Sequence, residues 1–114
     1  ENNFDIEKYE YEKNILEHKD MVKDFYRTYK VNYNNYNNIF NKINSQKIII
    51  ESNQLKLEGS KILYNAGRIN VNDLIESQVS LDESVNELNQ FEIELKNSAI
   101  NIIIYNGELN KIIN

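Results

Sequence analysis

The sequence predicts an all-α chain: a long antiparallel helical hairpin of coiled-coil type. A long helix is expected over about 4–66, a tip at 67–70 and a shorter helix over about 71–106. Three observations predict it. Apolar residues recur every seven positions along both halves. The Tyr64–Gln78 stretch carries a helix stop followed by a helix start. The 114 residues include no Pro and only three Gly, so little interrupts a long helix.

The first helix rests on the row Ile15, Val22, Tyr29, Tyr36, Ile43, Ile50, Leu57 and Tyr64, each seven residues after the last. Such a row marks one face of a helix held over many turns. Tyr26, Tyr33 and Phe40, four residues after members of that row, are expected to complete the seam. Phe4, Tyr9 and Tyr11 fit the register less well. Residues 32–38 read Asn-Tyr-Asn-Asn-Tyr-Asn-Asn, and Asn favours loops over helix interiors. The helix is nevertheless expected to continue, because Tyr29, Tyr33, Tyr36 and Phe40 hold the period through the Asn cluster. Gly59 costs such a helix about 1 kcal/mol relative to Ala.

The tip follows. Gly67 suits the left-handed residue that closes a helix C-terminus. Asn70 is the candidate N-cap of the next helix, with Asp73 three residues on in a capping-box-like spacing. Asp73 and Glu76 suit the positive end of the helix dipole.

The second helix rests on Leu74, Leu81, Leu88, Leu95, Ile102 and Leu109. Its companion row is expected four residues on, where Val85 and Ala99 alternate with Gln78, Glu92 and Asn106. Gly107 is expected to end or bend the helix. At about 1.5 Å per residue the first helix is roughly 95 Å long and the second roughly 50 Å. A hairpin of such unequal arms leaves the N-terminal half of the first without a partner. Self-association, or membership of a larger protein of which this is one segment, is the expectation.

Charge and composition restrict function. The net charge is −5. Residues 1–66 hold ten basic and ten acidic side chains, and residues 67–114 hold three and eight. An acidic half argues against nucleic acid and against an anionic membrane surface. The Tyr residues at 26, 29, 33 and 36 lack the basic groove of a base-stacking platform and read as packing residues. No run of about 18 apolar residues is present to make a membrane-spanning helix. Without Cys there is no disulfide or thiolate site, and the lone His18 has no second His to share a metal. No nucleophile–base pair or phosphate loop occurs, so neither enzyme activity nor a cofactor is expected. Glu76, Glu83, Glu87 and Glu94 are expected roughly opposite the Leu row. They make an ordinary solvated face or, in a tunnel, a cation-favouring lining.

Tyr64, Gly67, Asp73, Leu74, Ile75, Gln78, Leu81, Val85, Leu88 and Gly107 together resemble a pattern of the TolC-type outer-membrane efflux proteins. That pattern is Tyr-x-x-Gly, a short turn, Asp-Leu-Leu-x-Ala-Gln, then Leu and Ala at heptad spacing up to a Gly. The likeness covers residues 62–107. Ser77 and Ser84 stand where Ala is usual, and Ile75 replaces the second Leu. The resemblance implies a trimeric channel with a barrel in the cell outer membrane and a periplasmic α-helical tunnel. This hairpin would be one helical repeat of it, the second. It implies passive conduction in drug efflux or type I secretion, a periplasmic adaptor (membrane fusion) protein and an inner-membrane transporter as partners, and a tip that gates and docks. The tip positions are Gly67, Arg68, Ile69, Asn70, Val71, Asn72 and Asp73, with Glu76 one turn on. The alternative reading is a coiled-coil interaction module, such as a periplasmic adaptor hairpin or a scaffold protein.

Overall fold

The computed structural model describes residues 2–113, with side-chain exposure for 2–111. The chain is an all-α helical hairpin. Helix α1 spans Asn2–Asn65 and helix α2 spans Val71–Ile113. Helix α1 runs without a break through residues 32–38. Tyr36, Ile39 and Ile43 turn inward there, so packing of one face outweighs the weak helix propensity of the Asn residues. Helix α2 does not end near 106, as expected, but continues through Gly107. Gly67 is the one glycine with a positive φ, so Gly107 carries ordinary helical backbone. Half-buried Leu109 extends the Leu row beyond it.

Two compact units make up the chain. One comprises Glu1–Asn34 with Asn101–Asn114, the other Asn35–Ile100. In the first, every residue from 2 to 24 is exposed, and inward-facing positions begin at Phe25. The Phe25 and Tyr105 rings pack with centroids 5.0 Å apart, and Tyr29 meets Tyr33 at 5.3 Å.

The second unit contains the turn and the better-covered seam. Ile39, Ile43 and Leu57 are its buried apolar residues on α1. With the row Tyr29…Leu57 taken as heptad position a, the inward companion row on α1 lies three residues on, at position d: Ile39, Gln46, Asn53 and Ser60. The expected row four residues on does not pack. Phe40 is 47% exposed against 7% for its neighbour Ile39, and Tyr26 and Tyr33 are exposed as well. The same correction holds on α2. With Leu74…Leu109 as a, the inward d row is Ser77, Ser84, Phe91 and Ser98, whereas Val85 is exposed and Ala99 half-buried. Hydrophobicity favoured the wrong row in both helices because the true one is largely Ser, Asn and Gln. The outer members of the first row, Ile15, Val22 and Tyr64, are also exposed.

Those inward polar groups are bonded. The Gln46 amide donates to the Ser84 carbonyl oxygen at 2.9 Å, and the Asn53 amide donates to the Ser80 carbonyl oxygen at 3.3 Å. Ser60 and Ser77 share a hydroxyl hydrogen bond at 2.7 Å. The Ser84 hydroxyl donates to the carbonyl of Leu81. Among the described residues no buried side-chain nitrogen or oxygen lacks a partner. The cost of burying a polar group is thereby met.

Candidate functional site

The turn is built from two backbone hydrogen bonds and one capping side chain. Arg68 N–H donates to Leu63 O at 2.9 Å and Gly67 N–H to Tyr64 O at 3.0 Å. These are the paired bonds of a Schellman closure. Gly67 sits at φ 72°, where a Cβ would crowd the backbone. Ile69 then folds back, half-buried. With Leu63, Lys56, Asp73 and Glu76 it lines a recess of about 240 Å³. Asn70 Oδ1 accepts the Asp73 backbone N–H at 2.9 Å. This is the N-cap the sequence predicts. The Ser77 hydroxyl donates to Asp73 O, tying the first turn of α2 to the Ser60–Ser77 contact.

The turn is therefore a fixed device, and the side chains it presents are free. Arg68, Val71, Asn72, Asp73 and Glu76 are all exposed, as is Gly67. Asp73 contributes its backbone to the cap and leaves its carboxylate in solvent. The rim of the turn thus presents charged and polar side chains to solvent. Among the described residues no group of three His, Asp or Glu is placed to hold a metal ion. His18 is exposed.

Replacing Gly67 by Ala is expected to destabilise the hairpin by about 1–2 kcal/mol. Gly107→Ala is expected to stabilise it by up to about 1 kcal/mol, since no atom lies within 4 Å of the added Cβ. Thermal denaturation of the two variants checks this opposition.

A second candidate surface was missed in the sequence. Position f, five residues after a, lies opposite the seam at 100° per residue. On α1 of the second unit it holds Ile48, Leu55 and Ile62, exposed at 68%, 64% and 69%. On α2 it holds Val79, Asn86, Ile93 and Ile100, all exposed. The expected acidic residues lie roughly opposite the Leu row, beside this apolar stripe, which is centred opposite the a/d seam as a whole. Glu76, Glu83, Glu87 and Glu94 occupy positions c and g, on one flank, and are exposed. The spacing of Ile48, Leu55 and Ile62 by seven was the available signal.

The two arms of this unit also differ in charge. Residues 35–65 carry four Lys and two Glu, whereas residues 71–100 carry seven acidic residues and one Lys. Each arm presents an outward apolar stripe; the charges flanking it at b and c are Glu51 and Glu58 on α1 and Glu76, Asp82, Glu83 and Lys96 on α2, while the α1 Lys residues lie at e and g beside the seam. Among the described residues no helix is long and apolar enough to cross a membrane. No protein-family model, curated protein or solved structure matches this chain.

Proposed function

We propose that the chain is a periplasmic wall segment of a TolC-like trimeric outer-membrane channel for drug efflux or type I secretion. It serves as a passive conduit whose tip gates the tunnel and docks a periplasmic adaptor. The observation that carries this reading is the placement of the two f stripes. A hairpin in a globular bundle turns its spare apolar surface to one side. Here the stripes lie on opposite outer edges, so that α1 stripe, α1, seam, α2 and α2 stripe follow in line. That order suits hairpins standing side by side in a curved wall. In such a wall the α1 stripe of one hairpin packs on the α2 stripe of the next.

The exposed rim of the turn supports the docking part of the reading. Gly67, Arg68, Val71, Asn72, the Asp73 carboxylate and Glu76 stand exposed on a closed, hydrogen-bonded turn, the arrangement a tip needs to meet an adaptor or a neighbouring tip. An inner-membrane transporter would supply the energy. A single-hairpin interaction module, such as an adaptor hairpin or scaffold, shares the tip but has less use for two outward stripes.

The test of gating is made in the full-length channel. Replacing Asp73 and Glu76 together by Ala is expected to raise single-channel open probability in planar bilayers, because rim charges near the gate are lost. Conductance and open probability equal to the parent's would remove the tip from gating.

A further inference from the structure

We propose that α1 of the first unit docks antiparallel on α1 of a second copy of this chain, along an exposed stripe at positions b and e, one and four residues after a. The b/e stripe recurs in alternating steps of four and three residues, the spacing of a helix-pairing seam. Its first half holds Asp5, Tyr9, Glu12 and Leu16, and its second half holds Lys19, Lys23, Tyr26 and Lys30. All of these are exposed. Where α2 covers α1, at Phe25 and Tyr29, it uses positions d and a and leaves this side open.

Charge names the occupant. The acidic side chains of the b/e stripe lie in its first half and the basic ones in its second. Such a stripe complements itself only when reversed. With Asp5 opposite Lys30 of the second copy, Glu12 falls opposite Lys23, Tyr9 opposite Tyr26, and Leu16 opposite the alkyl stem of Lys19. The margins agree. At f, Lys13 faces Asp20 of the second copy, and at a, Ile15 faces Val22. Arg27 at f and Lys8 at a meet Ile6 and Tyr29, so neither has a like charge opposite. The remaining acidic residues, Glu7, Glu10, Glu17 and Asp24, lie at g and c on the far side of the helix. Two-fold symmetry makes every contact twice.

Direction and register are both selected. A parallel pair would set each charge of the stripe against its like. A slip of one heptad in one sense brings Lys13 against Lys13 and Asp20 against Ile6. A slip in the other sense brings Lys19 against Lys23 and Asp20 against Asp20. Exposed ion pairs choose a partner more than they hold it. The attraction comes from the Tyr9–Tyr26, Ile15–Val22 and Leu16 contacts, whose side chains are otherwise left in water. The pairing concerns the free chain and uses the first unit alone. The channel reading rests on the outward stripes and the turn of the second unit, so either can fail without the other.

The test is sedimentation equilibrium of the whole chain. A reversible dimer is expected. Lys23→Glu with Lys30→Glu in one variant, and Asp5→Lys with Glu12→Lys in another, are each expected to weaken it roughly tenfold or more. Mixing the two variants is expected to restore a dimer, because acidic and basic residues then face one another again at both contacts. Circular dichroism checks that each variant stays helical. Preparations carrying Tyr9→Cys and Tyr26→Cys, mixed and oxidised, are expected to give the 9–26 disulfide in preference to 9–9 and 26–26. A chain that stays monomeric, a dimer unweakened by either reversal, no recovery on mixing helical variants, or a predominance of 9–9 and 26–26 products would each overturn the proposal.

Discussion

Ile39→Ala is expected to destabilise the hairpin by about 2–4 kcal/mol, whereas Phe40→Ala, one residue on, is expected to cost under about 1.5 kcal/mol. The larger side chain should matter less. Ile39 lies inside the seam at 7% exposure, and truncating it leaves a cavity that two rigid helices cannot close. Phe40 sits at position e with nearly half its surface in solvent, so its truncation leaves no enclosed void. Chemical denaturation at several protein concentrations separates this effect from any contribution of self-association. The reverse order of costs would place the seam on the row four residues after a and refute the packing described above.

Gln46→Leu is expected to raise stability by about 1–2 kcal/mol and to loosen the register. Gln46 is 4% exposed and spends its amide on the Ser84 carbonyl across the seam. A Leu of similar length would bury its surface with no hydrogen bond to place. Yet Gln46, Asn53 and Ser60 recur every seven residues, and each bonds to a particular partner on α2. A slip of one heptad keeps apolar rows matched but parts Ser60 from Ser77 and obliges the Gln46 and Asn53 amides to find other main-chain carbonyls, a requirement that Gln46→Leu removes at its position, so the polar row disfavours slipped pairings. A Ser60→Cys, Ser77→Cys pair reads the native register by disulfide formation, and an Asn53→Cys, Ser77→Cys pair reads the slip. In the Gln46→Leu background the second pair is expected to gain at the expense of the first. A higher melting temperature with unchanged disulfide partition would show that Gln46 has no part in setting register.

The helices and the turn were legible because their signals are local or strictly periodic. Gly67 and Asn70 declare a stop and a start through backbone conformation and one capping bond, and the structure uses both as the sequence predicts. The rows headed by Tyr29 and Leu74 repeat every seven residues and turn inward through the covered length. The companion rows were misread for a physical reason. Hydrophobicity points to Tyr26, Tyr33, Phe40 and Val85, while the inward positions hold Asn53, Ser60, Ser77 and Ser84. Small and amide side chains can be buried when a neighbouring carbonyl or hydroxyl satisfies them, and that partner lies across the seam, out of reach of the sequence. Gly107 marks a place where a helix can end or bend, but its backbone is ordinary helix and α2 runs through it to Ile113. The outward stripes at Ile48, Leu55 and Ile62, and at Val79, Ile93 and Ile100, acquire meaning only once the seam is fixed on the opposite face. Free side chains at Arg68, Asp73 and Glu76 agree with a contact role for the tip and leave its partner to experiment.

The wall reading is tested most directly at the two outer edges. One preparation of the chain carries Leu55→Cys on the α1 edge, and another carries Ile93→Cys on the α2 edge. They are mixed and treated with a short bismaleimide at low salt. The mixed 55–93 product is expected to dominate, with the 55–55 and 93–93 products minor, because a wall repeats the α1 edge of one hairpin against the α2 edge of the next. Products in statistical proportion, or no cross-linking at concentrations where a Ser60–Ser77 control pair closes fully, would contradict the side-by-side wall and with it the channel reading.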